Sequence, residues 1–117
     1  MKDYSAMSDF EINKSVANYL GKTIQPDSCQ DMGNAGFGDV IFQNGDSKDY
    51  CNNPADSWPI IFRERITLIP KVTGYEWDAI SPVILNDDIE HLHTDKNPLR
   101  AAMIFFLMMK DMENSHA

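Results

Sequence analysis

Two Asn-Pro segments, DYCNNPADSWPII at 49–61 and KNPLRAAMIFFLMMK at 96–110, constrain this chain more than any other feature. Asn is a strong N-cap because its side-chain oxygen accepts an orphan backbone N–H, and Pro is preorganised for the first helical turn. The segments therefore predict helices opening at Asn53 and Asn97, the second running to about Met112. A third start stands at Ser8, where Ser8 and Glu11 form a capping box and Met7 and Ile12 a hydrophobic staple. Ile12, Val16, Tyr19 and Leu20 then recur on one helical face, and Gly21 suits the left-handed residue after the helix end.

Between these helices the apolar rhythm changes. Pro26, Gly33, Gly36 and Gly38 interrupt it and predict a loop or irregular edge strand over 22–39. The GNAGFG stretch in that loop fits neither a phosphate loop nor a dinucleotide fingerprint, since no Lys-Ser or Lys-Thr follows it. A strand is expected over Asp39 to Gln43, ended by the Asn44-Gly45 turn signal. In the helix after Asn53, Ala55, Trp58 and Ile61 or Phe62 share one face. Pro59 predicts a kink there, or alternatively a strand beginning at Pro59 itself. Alternation of Ile66 and Leu68, then of Tyr75, Trp77 and Ala79, predicts two strands joined by a hairpin across KVTG. Residues 81–96 read as a loop with room for a short strand.

The pattern is that of one α+β domain over residues 1–117, with a small antiparallel sheet of about three to four strands and about three helices. The C-terminal helix is strongly apolar: Leu99, Met103 and Phe106 trace one face, Ala102, Phe105 and Met109 the next. A helix apolar nearly all round is enclosed by its domain or shared with a second copy. A short chain offers few elements to enclose it, so a homo-oligomer, dimer or higher, is expected through this helix.

Charge narrows the partners. A formal net charge of −8 opposes general nucleic-acid binding, which rewards cations through counterion release, and favours basic partners. The longest apolar run, AAMIFFLMM, is too short for a bilayer, and MKDYSAMSDFE lacks the basic and apolar start of a signal peptide. A cytoplasmic location is expected, with Cys29 and Cys51 reduced rather than bridged.

No catalytic residue, metal or cofactor is assigned. His91 and His93 with Asp87, Asp88 and Glu90 offer zinc-compatible ligands, but a solvated polar loop is the favoured state of that run. The DYCNNPADSWP block joins tyrosine, amides, acids and tryptophan, a mixture suited to gripping a planar polar ligand. Arg63, Arg65 and Arg100 are among the few cations, and helix N-termini attract anions. The expected ligand-binding set is Tyr50, Asn52, Asn53, Asp56, Trp58, Arg63, Asn97 and Arg100. The competing structural account is that Asn53 and Asn97 only cap, Arg100 pairs with Asp95 or Asp111, and Trp58 and Trp77 are core.

The blocks SDFEINKSVA, DYCNNPADSWPII, Trp77-Asp78-Ala79 and NPLRAAMIFFLMM resemble those of the NinX family of small phage proteins. The resemblance implies a phage or prophage accessory protein acting in the bacterial host cell, and carries no activity of its own. The leading expectation is a non-enzymatic binding protein that sequesters a small anionic or nucleotide-like molecule such as a host defence signal. The alternatives are an acidic interaction module that inhibits a host protein and a small hydrolase using Asp56 or a histidine.

Overall fold

A computed structural model describes residues 3–26, 30, 38–72, 74–80 and 93–115. After a single 3-10 turn at Tyr4–Ala6 comes α1, Asp9–Tyr19. Its capping box forms as the sequence predicts: the Glu11 N–H donates to Ser8 Oγ at 3.2 Å and the Ser8 N–H donates to Glu11 Oε1 at 3.2 Å. Gly21 takes φ +74 just past the helix, a left-handed conformation that costs glycine little. Two short strands follow, β1 at Val40–Ile41 and β2 at Ser47–Lys48, paired antiparallel through the Asn44-Gly45 turn.

Helix α2 spans Pro54–Glu64 with Asn53 as its N-cap, the side chain accepting from the Ala55 N–H at 3.0 Å. It passes through Pro59 without breaking, so no strand begins there. The buried face is not the one that aromatic spacing suggests. Ser57, Ile60 and Ile61 point inward, while Trp58 and Phe62 are 58% and 75% exposed. The adjacent isoleucines set the helix phase, and the aromatics two positions before and one position after them are turned to solvent.

Three further strands form an antiparallel sheet in the order β3-β4-β5: β3 is Thr67–Pro70, β4 Trp77–Ile80 and β5 His93–Asp95. Strands β3 and β4 pair antiparallel as expected of a hairpin, with Leu68 opposite Ala79, and Ala79 lies opposite His93. With three α-helices and two small antiparallel sheets among the described residues the architecture is α+β.

The last helix, α3 at Pro98–Ser115, is the centre of the molecule. Helices α1 and α2 and strands β4 and β5 all pack on it. Every residue from Ala101 to Leu107 is at most 1% exposed. The apolar girth of this stretch is thus covered within one chain. Toward its other end Tyr4 and Tyr19 both donate to the Asp111 carboxylate, tying the chain's start and α1 to α3. Among the described residues no helix is long and apolar enough to cross a membrane.

Candidate functional site

The two Asn-headed starts meet. Asn97 Nδ2 donates to the Cys51 carbonyl at 2.7 Å and to Asn52 Oδ1 at 2.9 Å, while its Oδ1 caps α3 by accepting from the Leu99 N–H at 2.9 Å and the Arg100 N–H at 3.3 Å. Asn52 Nδ2 in turn donates to Asp9 Oδ2 at 2.9 Å and to both Asp49 oxygens at 3.2 Å. Each amide uses its donor and acceptor ends on different elements, so the DYCNN turn is fixed to the heads of α1 and α3 at once.

Beneath this turn lies Asn13 of α1, fully buried. Its Nδ2 donates to the Gly38 carbonyl at 3.1 Å and to Asp49 Oδ1 at 2.9 Å, and its Oδ1 accepts from the Cys51 N–H at 3.0 Å. Gly38 can come this close because it has no side chain. At φ +76 an added Cβ would lie 3.2 Å from the Phe10 nitrogen and 3.3 Å from Asp9 Cβ.

Arg100 closes the cluster from the α3 side. Its guanidinium donates from Nε to Asp95 at 3.1 Å, from Nη1 to Asp9, and from Nη2 to the Met7 carbonyl at 2.7 Å and the Ser5 carbonyl at 3.3 Å. Two carboxylates meet its charge and two carbonyls take further donors, so the recess expected between the helix starts is occupied by the chain's own groups.

The eight residues of the expected ligand-binding set fall into three places. Asn52, Asn97 and Arg100 converge in the network, and Asn53 caps α2 beside it. Tyr50 and Asp56 lie on the other side of the turn: Tyr50 is 3% exposed, and Asp56 accepts from the Asp49 N–H at 3.0 Å and faces Lys48 Nζ at 3.4 Å. Trp58 and Arg63 stand apart on the outer face of α2, with Arg63 paired to Glu64 at 3.1 Å. Of the two acids offered as local partners for Arg100, Asp95 fills the role, while Asp111 receives the two tyrosines. Sequence reasoning missed Asn13, Asp9 and Asp49 as members. Asn13 and Ala17 form a second inward row one residue on from Ile12 and Val16, a pattern that shows only once the stripe is read as two residues wide.

Two titrating groups here have their pKa moved by burial. Burial, reinforced by Asp9, pushes the Cys51 thiol well above its ordinary range, so it stays protonated and non-nucleophilic. His93 sits on the inner sheet face, and burial pulls its pKa down. Its Nε2 is buried without a hydrogen bond, and Asp95, 4.0 Å away, is engaged by Arg100. Because the unfolded chain protonates this imidazole more readily than the folded one does, the neutral His93 costs no stability above about pH 6.5 and an increasing amount as pH drops below it. In denaturant titrations between pH 7 and pH 5, His93→Phe should therefore lose less stability than the parent protein. The zinc-compatible companions His91, Asp87, Asp88 and Glu90 lie outside the described residues, and no group of three potential metal ligands occurs among the described ones.

An α+β fold stitched by an Asn–Asp–Arg network around the buried Asn13 is the class of protein that fold and site define. The chain matches the family model described as bacteriophage P22 NinX over residues 3–110 and belongs to that family. No curated protein and no solved structure matches it.

Proposed function

We propose that this phage protein acts in the bacterial cytoplasm as a non-enzymatic interaction module that engages a host protein through the outer face of α2. The observation that carries this reading is the pair Trp58 and Phe62, one helical turn apart and 58% and 75% exposed. Large aromatics left in water together favour recognition, since tryptophan and arginine supply most of the energy at protein interfaces. Arg65 follows on the same helix end in a left-handed conformation, φ +57, and makes no ion pair with any described residue. An apolar groove is the surface that such a helix face fits.

The test is Trp58→Ala/Phe62→Ala. Both side chains are exposed, so the double variant should keep the parent's stability to within about 1 kcal/mol, as surface changes do. It should lose the host protein that the parent protein captures after cross-linking in infected cells. Capture undiminished by the two substitutions would reject the α2 face.

A second reading, sequestration of a small anionic or nucleotide-like molecule, is favoured by a different observation. The recess between the helix starts is filled, but a separate cleft of about 460 Å³ opens beside the β1–β2 hairpin. That volume lies within the range common for small-molecule sites, about 300–1,000 Å³.

A further inference from the structure

We infer that the cleft beside the β1–β2 hairpin is a binding site for a singly charged phosphodiester carrying a hydrogen-bonding ring, the chemistry of a cyclic mononucleotide. The inference rests on the sequestration reading and gives it a place and a ligand class. The cleft is walled by Lys22 and Thr23 after α1, by Gln43 and Asn44 of the hairpin turn, and by Lys48 and Tyr50. Phe42 contributes an apolar patch and Asp46 one carboxylate.

Two lysines in one small cleft stand out in a chain with 10 Lys and Arg against 18 Asp and Glu. Lys48 is partly compensated by Asp56 at 3.4 Å, and Asp46 is held by the Asn44 amide at 3.2 Å. Lys22 makes no ion pair with any described residue. Counting Asp46 and Asp56 against Lys22 and Lys48, the cleft carries no surplus charge, and Lys22 is its one cation without an acid partner among the described residues. It suits a monoanion and opposes the clustered charge of a triphosphate, which would bring its phosphates against Asp46.

Tyr50 supplies the second observation. Its ring is buried, 3% exposed, yet its hydroxyl donates to no described residue while the side chain lines the cleft. Burial beside Asp56 pushes that phenol up to about 12, so it remains an O–H donor throughout the physiological range. A phenol and an ammonium set at one opening supply donors for a phosphodiester oxygen, and the Gln43 and Asn44 amides supply the mixed donors and acceptors that a nucleobase edge needs.

The experiment is calorimetric titration of the full chain with the 3′,5′-cyclic mononucleotides, with ATP and adenosine as controls. A cyclic mononucleotide should bind, adenosine without its phosphate should not, and ATP should bind more weakly. Lys22→Gln and Tyr50→Phe should each weaken binding about tenfold, the loss of one charge-assisted or one buried hydrogen bond. Neither variant should shift Tm, because Lys22 is exposed and phenylalanine refills the Tyr50 ring site. Binding that survives both substitutions overturns the site but leaves sequestration standing. No binding of any cyclic mononucleotide overturns the inference, and if ATP is also inert the sequestration reading falls with it.

Discussion

Arg100→Ala should destabilise the protein by about 3 kcal/mol, the lower end of the cost of breaking a buried ion pair from one side. The lower end applies because the Asp9 and Asp95 side chains keep 35% and 19% of their exposure. The substitution removes the cation from both carboxylates, which keep only their bonds from Asn52 and the Asn97 N–H, and leaves the Ser5 and Met7 carbonyls without their donor. Lysine should rescue only part of the loss, since a single ammonium cannot reach four acceptors arranged around a planar fork. Urea denaturation of the three proteins decides the matter. Were Arg100 chiefly a receptor for an outside anion, alanine would leave the unliganded protein nearly as stable as the parent.

Asn13→Asp should be the second large effect, and its pH dependence is diagnostic. The new carboxylate would replace the amide that now donates to Asp49 Oδ1 at 2.9 Å, setting a second acid, at a fully buried position, against the half-buried Asp49. It would also remove the donor to the Gly38 carbonyl. A loss of about 3 kcal/mol near neutral pH is expected from an uncompensated buried charge. Repulsion keeps a proton on the pair in the folded state at pH values where the unfolded chain has released it. Folding is thus penalised above the ordinary carboxylate range, and the variant should regain stability relative to the parent as pH falls toward it. Paired denaturation curves at neutral and mildly acid pH measure this. A variant whose deficit stays constant or grows on acidification would show that Asp49 and residue 13 do not interact as described.

Much of the local structure was legible because the signals act over a few residues. The Ser8–Glu11 box, the Asn53 and Asn97 caps, the Asn44-Gly45 turn and the β3–β4 pairing all stand where short-range rules put them. The phase of α2 did not follow, because Trp58 and Phe62 compete with Ile60 and Ile61 for the interior and only the packing against α3 decides. The enclosure of α3 was equally hidden, since it depends on how α1, α2 and the sheet are wrapped. The polar network is the clearest case. Arg100 meets Asp9 across 91 positions and Asn13 meets Asp49 across 36, distances over which periodicity and capping carry no information.

Because α3 is made after every element that leans on it, the order of synthesis matters for this molecule. As the chain grows, α1 and α2 present Ile12, Val16, Ile60 and Ile61 to water with nothing to cover them until residues 101–107 arrive. Arg100 reaches its acceptors at Ser5, Met7 and Asp9 in the same late event. The nascent protein therefore passes through a long interval with bare oily faces, and a ribosome stalled just before α3 would hold a chain prone to clumping or degradation rather than a half-built native domain.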